Sequence, residues 1–175
     1  SDNLTGGLLA TRHLIGLGHR RIGFMAGRPD LRSSQLRETG YLQALAEAGI
    51  EADPSLVRNS DFRLETAREP ARELLSRPDR PTAVFAANDL SAIGTMEVAL
   101  ELGLDVPGGL SVIGFDDIPE AARTTPPLST VRQPIQQMGA VAVKLLVAVL
   151  EGRQTESHHV LPTSLVLRAS TAPPR

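Results

Sequence analysis

The 175-residue chain predicts an α/β fold: an open parallel sheet with helices on both faces. Three observations carry the prediction. Continuous apolar runs such as Thr82 to Ala87 and Leu110 to Phe115 lack the in–out alternation of a half-exposed strand, as expected of strands covered on both sides. Between them lie stretches with apolar residues at helical spacing, and strands alternating with helices of about 10–15 residues mark a parallel sheet. Glycines and prolines fall at the junctions, where turns are needed.

The elements follow in order. Leu8, Leu9, Leu14, Ile15 and Leu17 have helical spacing, and Gly18 supplies a left-handed stop. Arg21 to Ala26 is a short buried strand ended by Gly27, Arg28, Pro29 and Asp30. A helix over Ser34 to Ala48 should turn Leu42 and Leu45 inward and close at Gly49. A short strand at Leu56 to Arg58, a helix over Leu64 to Ser76 and the strand Thr82 to Ala87 repeat the cycle. The next helix carries Ile93, Met96, Val98, Leu100 and Leu102, stops at Gly103, and leads to the strand Leu110 to Phe115. Prolines 119, 126, 127 and 134 then surround one extended segment, Leu128 to Arg132. A long helix occupies Ile135 to Glu151, two brief strands flank Pro162 at His158 to Leu161 and Ser164 to Arg168, and the tail Thr171 to Arg175 is expected to fray.

Composition excludes several functions. The formal net charge of -2 does not suit a surface that neutralises many phosphates, so this piece is not expected to hold DNA itself. Four phenylalanines, one tyrosine and no tryptophan are too few for a stacking platform on single strands. No cysteine is present, which fits a reducing compartment, and the cytoplasm is the expected location. The longest apolar run, near Val141 to Leu150, is interrupted by Lys144 and is far short of the ~20 residues that span a bilayer. Ser1 to Gly7 show no secretory leader.

Candidate chemistry lies where loops leave the carboxyl ends of the strands, the place where open parallel sheets bind ligands. Those loops carry Arg37, Asp61 and Phe62, Asn88 and Asp89, and Asp116 and Asp117. Carboxylates and amides accept from hydroxyls, a guanidinium clamps oxygens in pairs, and an aromatic face covers a ring. Plainer roles compete with each: Asn88 and Asp89 as helix caps, Asp116 and Asp117 as turn residues, Phe62 as core, Arg37 as a solvated charge. The Gly-Lys-Ser/Thr phosphate loop, Gly-x-Ser-x-Gly and His-Glu-x-x-His are all missing. His158 and His159 would point to opposite sheet faces, and His13 and His19 have no evident partner. Catalytic residues, metal and cofactor are therefore expected to be none. An enzyme would need an acid–base pair, for which Asp116 with Asp61 is the one candidate.

Several segments, in this order, resemble the effector-binding region of LacI/GalR transcription repressors. They are Ser1-Asp2-Asn3 with Gly6-Gly7, His13 to Ile22, Arg37-Glu38-Thr39-Gly40-Tyr41, Arg80 to Asp89, Leu110 to Asp117, Pro126 to Pro134, Met138-Gly139, and Leu167-Arg168-Ala169-Ser170-Thr171. The resemblance covers essentially the whole chain and implies a two-lobed fold like that of periplasmic sugar-binding proteins, with effector in the cleft. Residues 1–131 resemble the C-terminal lobe, 132–160 a helix and strand that normally belong to the N-terminal lobe, and 161–175 a returning strand and tail. A helix-turn-helix and the first half of the N-terminal lobe normally precede the Asp2-Asn3 motif, so operator DNA is expected to be bound only through a domain outside this chain.

By the same resemblance Arg37 matches an effector-binding arginine, Phe62 an aromatic wall, Asn88 a variable polar contact and Asp116 an acidic contact. Leu31 stands where purine-binding members carry a second arginine, so a sugar or sugar-like polyol is the implied effector. Homodimers of the family pair through segments matching Leu64 to Arg68, the helix of Ile93, and Glu120 to Thr125. A periplasmic sugar-binding protein of a transporter is the alternative, which Leu128 to Pro134 and Arg168 to Thr171 disfavour. Finally, Val141, Leu145, Leu146 and Val149 on the long helix need a cover, from their own domain or a partner chain.

Overall fold

A computed structural model describes residues 1–153 and 159–175. Helices α1 (Asn3–Gly16), α2 (Arg32–Glu47), α3 (Leu64–Leu75), α4 (Asp89–Glu101) and α5 (Ile135–Leu150) alternate with strands. The strands are β1 (Ile22–Ala26), β2 (Val57–Asn59), β3 (Ala83–Ala86), β4 (Ser111–Asp116), β5 (Ser129–Arg132) and β6 (Ser164–Val166). They form one sheet in the order β2-β1-β3-β4-β5-β6. Neighbours run parallel from β2 to β5, with Phe24 level with Phe85 and Phe85 with Ile113. β6 departs from the expected all-parallel sheet by adding antiparallel to β5, Leu165 opposite Val131.

Strand residues divide between two cores because successive side chains point to opposite faces. Ile22, Phe24, Phe85, Ile113 and Phe115 pack with Leu14, Tyr41 and Leu45 under α1 and α2. Met25, Val84 and Val112 pack with Leu74, Ala92 and Met96 under α3 and α4. Phe24 stacks on Tyr41 with ring centroids 5.0 Å apart, and the Tyr41 hydroxyl donates to the Ile22 carbonyl. α2 therefore turns Tyr41 and Leu45 inward, and Leu42, expected inside, is exposed. The helices end as anticipated, with Gly18, Gly49 and Gly103 at positive φ just beyond them.

Three further expectations change. The segment 159–161 forms no strand, and His158 lies outside the described residues. The tail does not fray over its first residues: Ala172 exchanges hydrogen bonds with the Ser111 hydroxyl, and the Ser170 hydroxyl donates to the Val112 carbonyl. That docking supplies the partners His13 and His19 lacked. His13 meets the Thr171 hydroxyl at 3.0 Å, and buried His19 lies between the Thr82 hydroxyl and the Ala172 carbonyl. On α5 Ala148 is buried and Val141 and Leu145 are half-buried, whereas Leu146 and Val149 are exposed.

Candidate functional site

Arg37 is 5 % exposed, so the solvated-charge reading is wrong. It reaches the loop edge of the sheet because α1 and α2 approach each other closely. A Cβ on Gly7 would lie 2.4 Å from the Arg37 carbonyl oxygen, and one on Gly6 would strike the Phe115 ring at 2.5 Å. Only glycine permits that crossing. Under it, the Phe115 ring lies 3.7 Å from the Arg37 guanidinium carbon, with the Phe62 ring at 5.7 Å. Both distances fit cation–π attraction.

The guanidinium is held on three sides. Nε donates to Asn3 Oδ1 at 2.9 Å, Nη1 donates to the Ala87 carbonyl, and Nη2 pairs with Asp116 Oδ1 at 3.4 Å. Burial works against its charge and lowers its pKa, with Asp116 and Asp89 opposing the shift. A guanidinium remains protonated all the same. Burial likewise raises the pKa of Asp116, against Arg37 and against the Gln133 amide that donates to Oδ1 at 2.6 Å. Asp116 and Asp117, expected as turn residues, are instead the last residue of β4 and the one after it, with φ of 116° and 60°. Asp61 and Phe62, at 54° and 61°, form a second pair of this kind. Non-glycine residues at positive φ cost free energy and recur at ligand sites.

Asn88, not Asp89, caps α4: its Oδ1 accepts from the Ser91 amide, and its Nδ2 donates to the Phe62 carbonyl at 2.8 Å. It thereby fastens the Phe62 turn. The fold thus gathers Arg37, Phe62, Asn88 and Asp116 at one end of β1, β3 and β4. Sequence inspection missed Gln133, Asn3, Phe115 and Arg168. None had a local signal, because each matters through a partner distant in sequence. Burial opposes the charge of Asp117, but Arg168 at 2.5 Å and Arg132 at 2.6 Å outweigh it and hold its pKa low.

A separate groove of about 450 Å³ runs beside α4, lined by Ile93, Met96, Leu100, Leu104, Thr125 and Pro126. It shares no lining residue with the Arg37 cluster. Leu64 is half-buried on the neighbouring α3, where Arg68 pairs with Glu97 and Glu101, and Glu120 and Thr125 are exposed. Among the described residues no group of three or more His, Asp or Glu could hold a metal ion, and no helix is long and apolar enough to cross a membrane.

Residues 11–171 match the model of the periplasmic binding protein-like domain. The chain belongs to that family. Among relatives of this domain, the HTH-type transcriptional regulator DegA of Bacillus subtilis is 40% identical over 173 residues, which are 98% of this chain and 51% of DegA. Among solved structures, the transcriptional regulator CelR–cellobiose complex superposes with a TM-score of 0.93 at 40% identity, covering 97% of this chain and 52% of that one. The lac repressor dimer bound to operator and the anti-inducer ONPF gives 0.91 at 32%, covering 97% and 59%. The domain spans about half the length of the curated relatives it matches. The resemblance to LacI-type regulators and the α/β fold read from the sequence are both borne out.

Proposed function

We propose that this chain is the effector-sensing and dimerisation region of a LacI/GalR-type transcriptional repressor, that it takes a sugar or sugar-like polyol, and that it is not an enzyme. The pairing of buried Arg37 with half-buried Asp116 beside Phe62 is the observation that carries the reading: paired donors, a carboxylate acceptor and a ring wall meet at one sheet edge. Arg37 clamps ligand oxygens, Asp116 accepts from hydroxyls, Phe62 covers the ring face, and Asn88 fixes Phe62 and offers a polar edge. The similar CelR structure is a complex with cellobiose, which supports a sugar.

In this reading residues 1–131 are the C-terminal lobe, 132–160 a helix and the chain after it that join the N-terminal lobe, and 161–175 the returning strand and tail. Operator DNA is bound through a domain outside the chain, in the cytoplasm. Two copies pair around Leu64, Arg68, Ile93, Glu120 and Thr125, in support of which the α4 groove is apolar and the similar lac repressor structure is that of a dimer. That relatives are transcriptional regulators disfavours the transport alternative.

The test is titration of cellobiose and related sugars against the full-length protein and its Arg37→Ala, Asp116→Ala and Phe62→Ala variants, with folding checked by thermal melts. Charge-assisted hydrogen bonds contribute about 1.5–3 kcal/mol each, so the two charge variants should weaken effector response roughly ten-fold or more while operator binding persists. Unchanged effector affinity in both would reduce these residues to structural groups.

A further inference from the structure

Asp89 has no part in the site so far, yet it is 0 % exposed and lies directly behind it. It is the first residue of α4, but its carboxylate does not serve the helix. Oδ1 accepts from the Thr130 hydroxyl at 2.5 Å, and Oδ2 accepts from the Ile118 amide at 2.9 Å. Ile118 follows the Asp116–Asp117 pair immediately, and Thr130 is the second residue of β5, which leads into the Arg132–Gln133 segment that touches Asp117 and Asp116. One carboxylate thus ties the end of β3 to both chains that surround Asp116.

The slot is shaped for that carboxylate. A Cβ on Gly114 would stand 2.2 Å from Asp89 Oδ1, so the bare glycine backbone leaves the room that the carboxylate takes. Filling the slot with a carboxyl is costly. Burial raises its pKa to about 7, the Thr130 and Ile118 hydrogen bonds oppose the shift, and Asp116 and Asp117 add repulsion. Arg37 is the cation whose charge it shares with Asp116. An apolar side chain would fill the space without desolvating a charge. What a carboxylate alone supplies there is two fixed acceptors aimed in different directions.

We propose that Asp89 is a positioning residue of the effector site: through the Ile118 amide and Thr130 it holds the positive-φ Asp116–Asp117 pair at the end of β4 in register with β5, so that the Asp116 carboxylate faces Arg37. This rests on the reading of Asp116 as an effector contact and adds a residue that touches no effector itself. The pair needs an outside hold because two consecutive non-glycine residues at positive φ relax when released.

The experiment uses the full-length protein and reads amide hydrogen exchange at Asp117 and Ile118 together with cellobiose affinity. Asp89→Leu removes both acceptors and relieves the desolvation, so the fold persists while exchange at Asp117 and Ile118 quickens about ten-fold and cellobiose binding weakens by a similar factor. Asp89→Asn keeps two hydrogen bonds, its oxygen accepting from the Ile118 amide and its NH2 donating to the Thr130 hydroxyl; exchange and affinity return close to those of the unsubstituted protein. A residue that only fills space would give slow exchange in all three proteins, and that result overturns the proposal. Should Asp89→Leu fail to fold, Thr130→Val decides the matter: faster exchange at Asp117 and Ile118 supports the hold, unchanged exchange refutes it. Asp116→Ala with unaltered cellobiose binding would instead sink the effector-site reading, leaving the exchange data to judge Asp89 alone.

Discussion

α2 and α5 are both 16-residue helices, and their compositions point the wrong way for their environments. α2 is the more polar, yet it buries Ser34, Arg37, Gly40, Tyr41, Ala44 and Leu45. α5 is the more apolar, yet Leu146 is 60% and Val149 59% exposed. A helix is buried by what stands opposite it. α2 faces α1 across glycines and has Phe24, Phe115 and Asp116 within reach; on α5 Ala148 is buried, Met138, Val141 and Leu145 are only partly covered, and Leu146 and Val149 stay open. The polar helix therefore carries the candidate site, and the apolar one carries a surface suited to another set of apolar side chains.

Removing the charge that α2 buries should have the largest effect. Arg37→Met leaves the half-buried Asp116 without its cation, and because its side chain is 22% exposed and keeps the Gln133 amide, the loss should be about 3 kcal/mol, the lower end for a buried pair broken from one side. Chemical denaturation of the chain measures this, and a loss under ~1 kcal/mol would mean that water already compensates Asp116.

The comparison sharpens with matched leucines. Leu45→Ala in α2 opens a cavity in the core and should cost about 2–5 kcal/mol. Leu146→Ala in α5 should change stability by no more than about 0.5 kcal/mol in this chain. Equal losses would show that α5 is covered after all, by itself or by another copy.

A smaller effect follows from titration. Burial holds His13 and His19 below the ordinary imidazole pKa, so the unfolded chain takes up protons first as the medium is acidified. Their contribution is complete above about pH 6.5 and declines as pH falls through the lowered values. Asp89 acts oppositely: with its pKa raised to about 7, the folded state gains protons ahead of the unfolded one, which favours folding as pH falls from 7 towards 4. Thermal melts from pH 8 to 5 should therefore fall more steeply for Asp89→Asn than for the unsubstituted chain. Parallel curves would count against the buried carboxyl.

The order of elements, the sheet class and the glycine stops were legible in the sequence, because each depends on neighbours within one or two turns of chain. Arg37, Phe62, Asn88 and Asp116 could be placed at one sheet edge for the same reason, since they follow strands whose direction is fixed by the repeating pattern. The chemical state of those residues was not legible. Asn88 and Asp89 are adjacent and both suit a helix cap; which of them caps α4 was settled by Thr130 and Ile118, which claim Asp89 from far along the chain. The antiparallel β6, the docked tail and the bare face of α5 belong with these. Periodicity fixes which way a side chain points from its own backbone, whereas burial, pairing and proton affinity are set by whatever the rest of the fold brings opposite, and only the tertiary structure decides that.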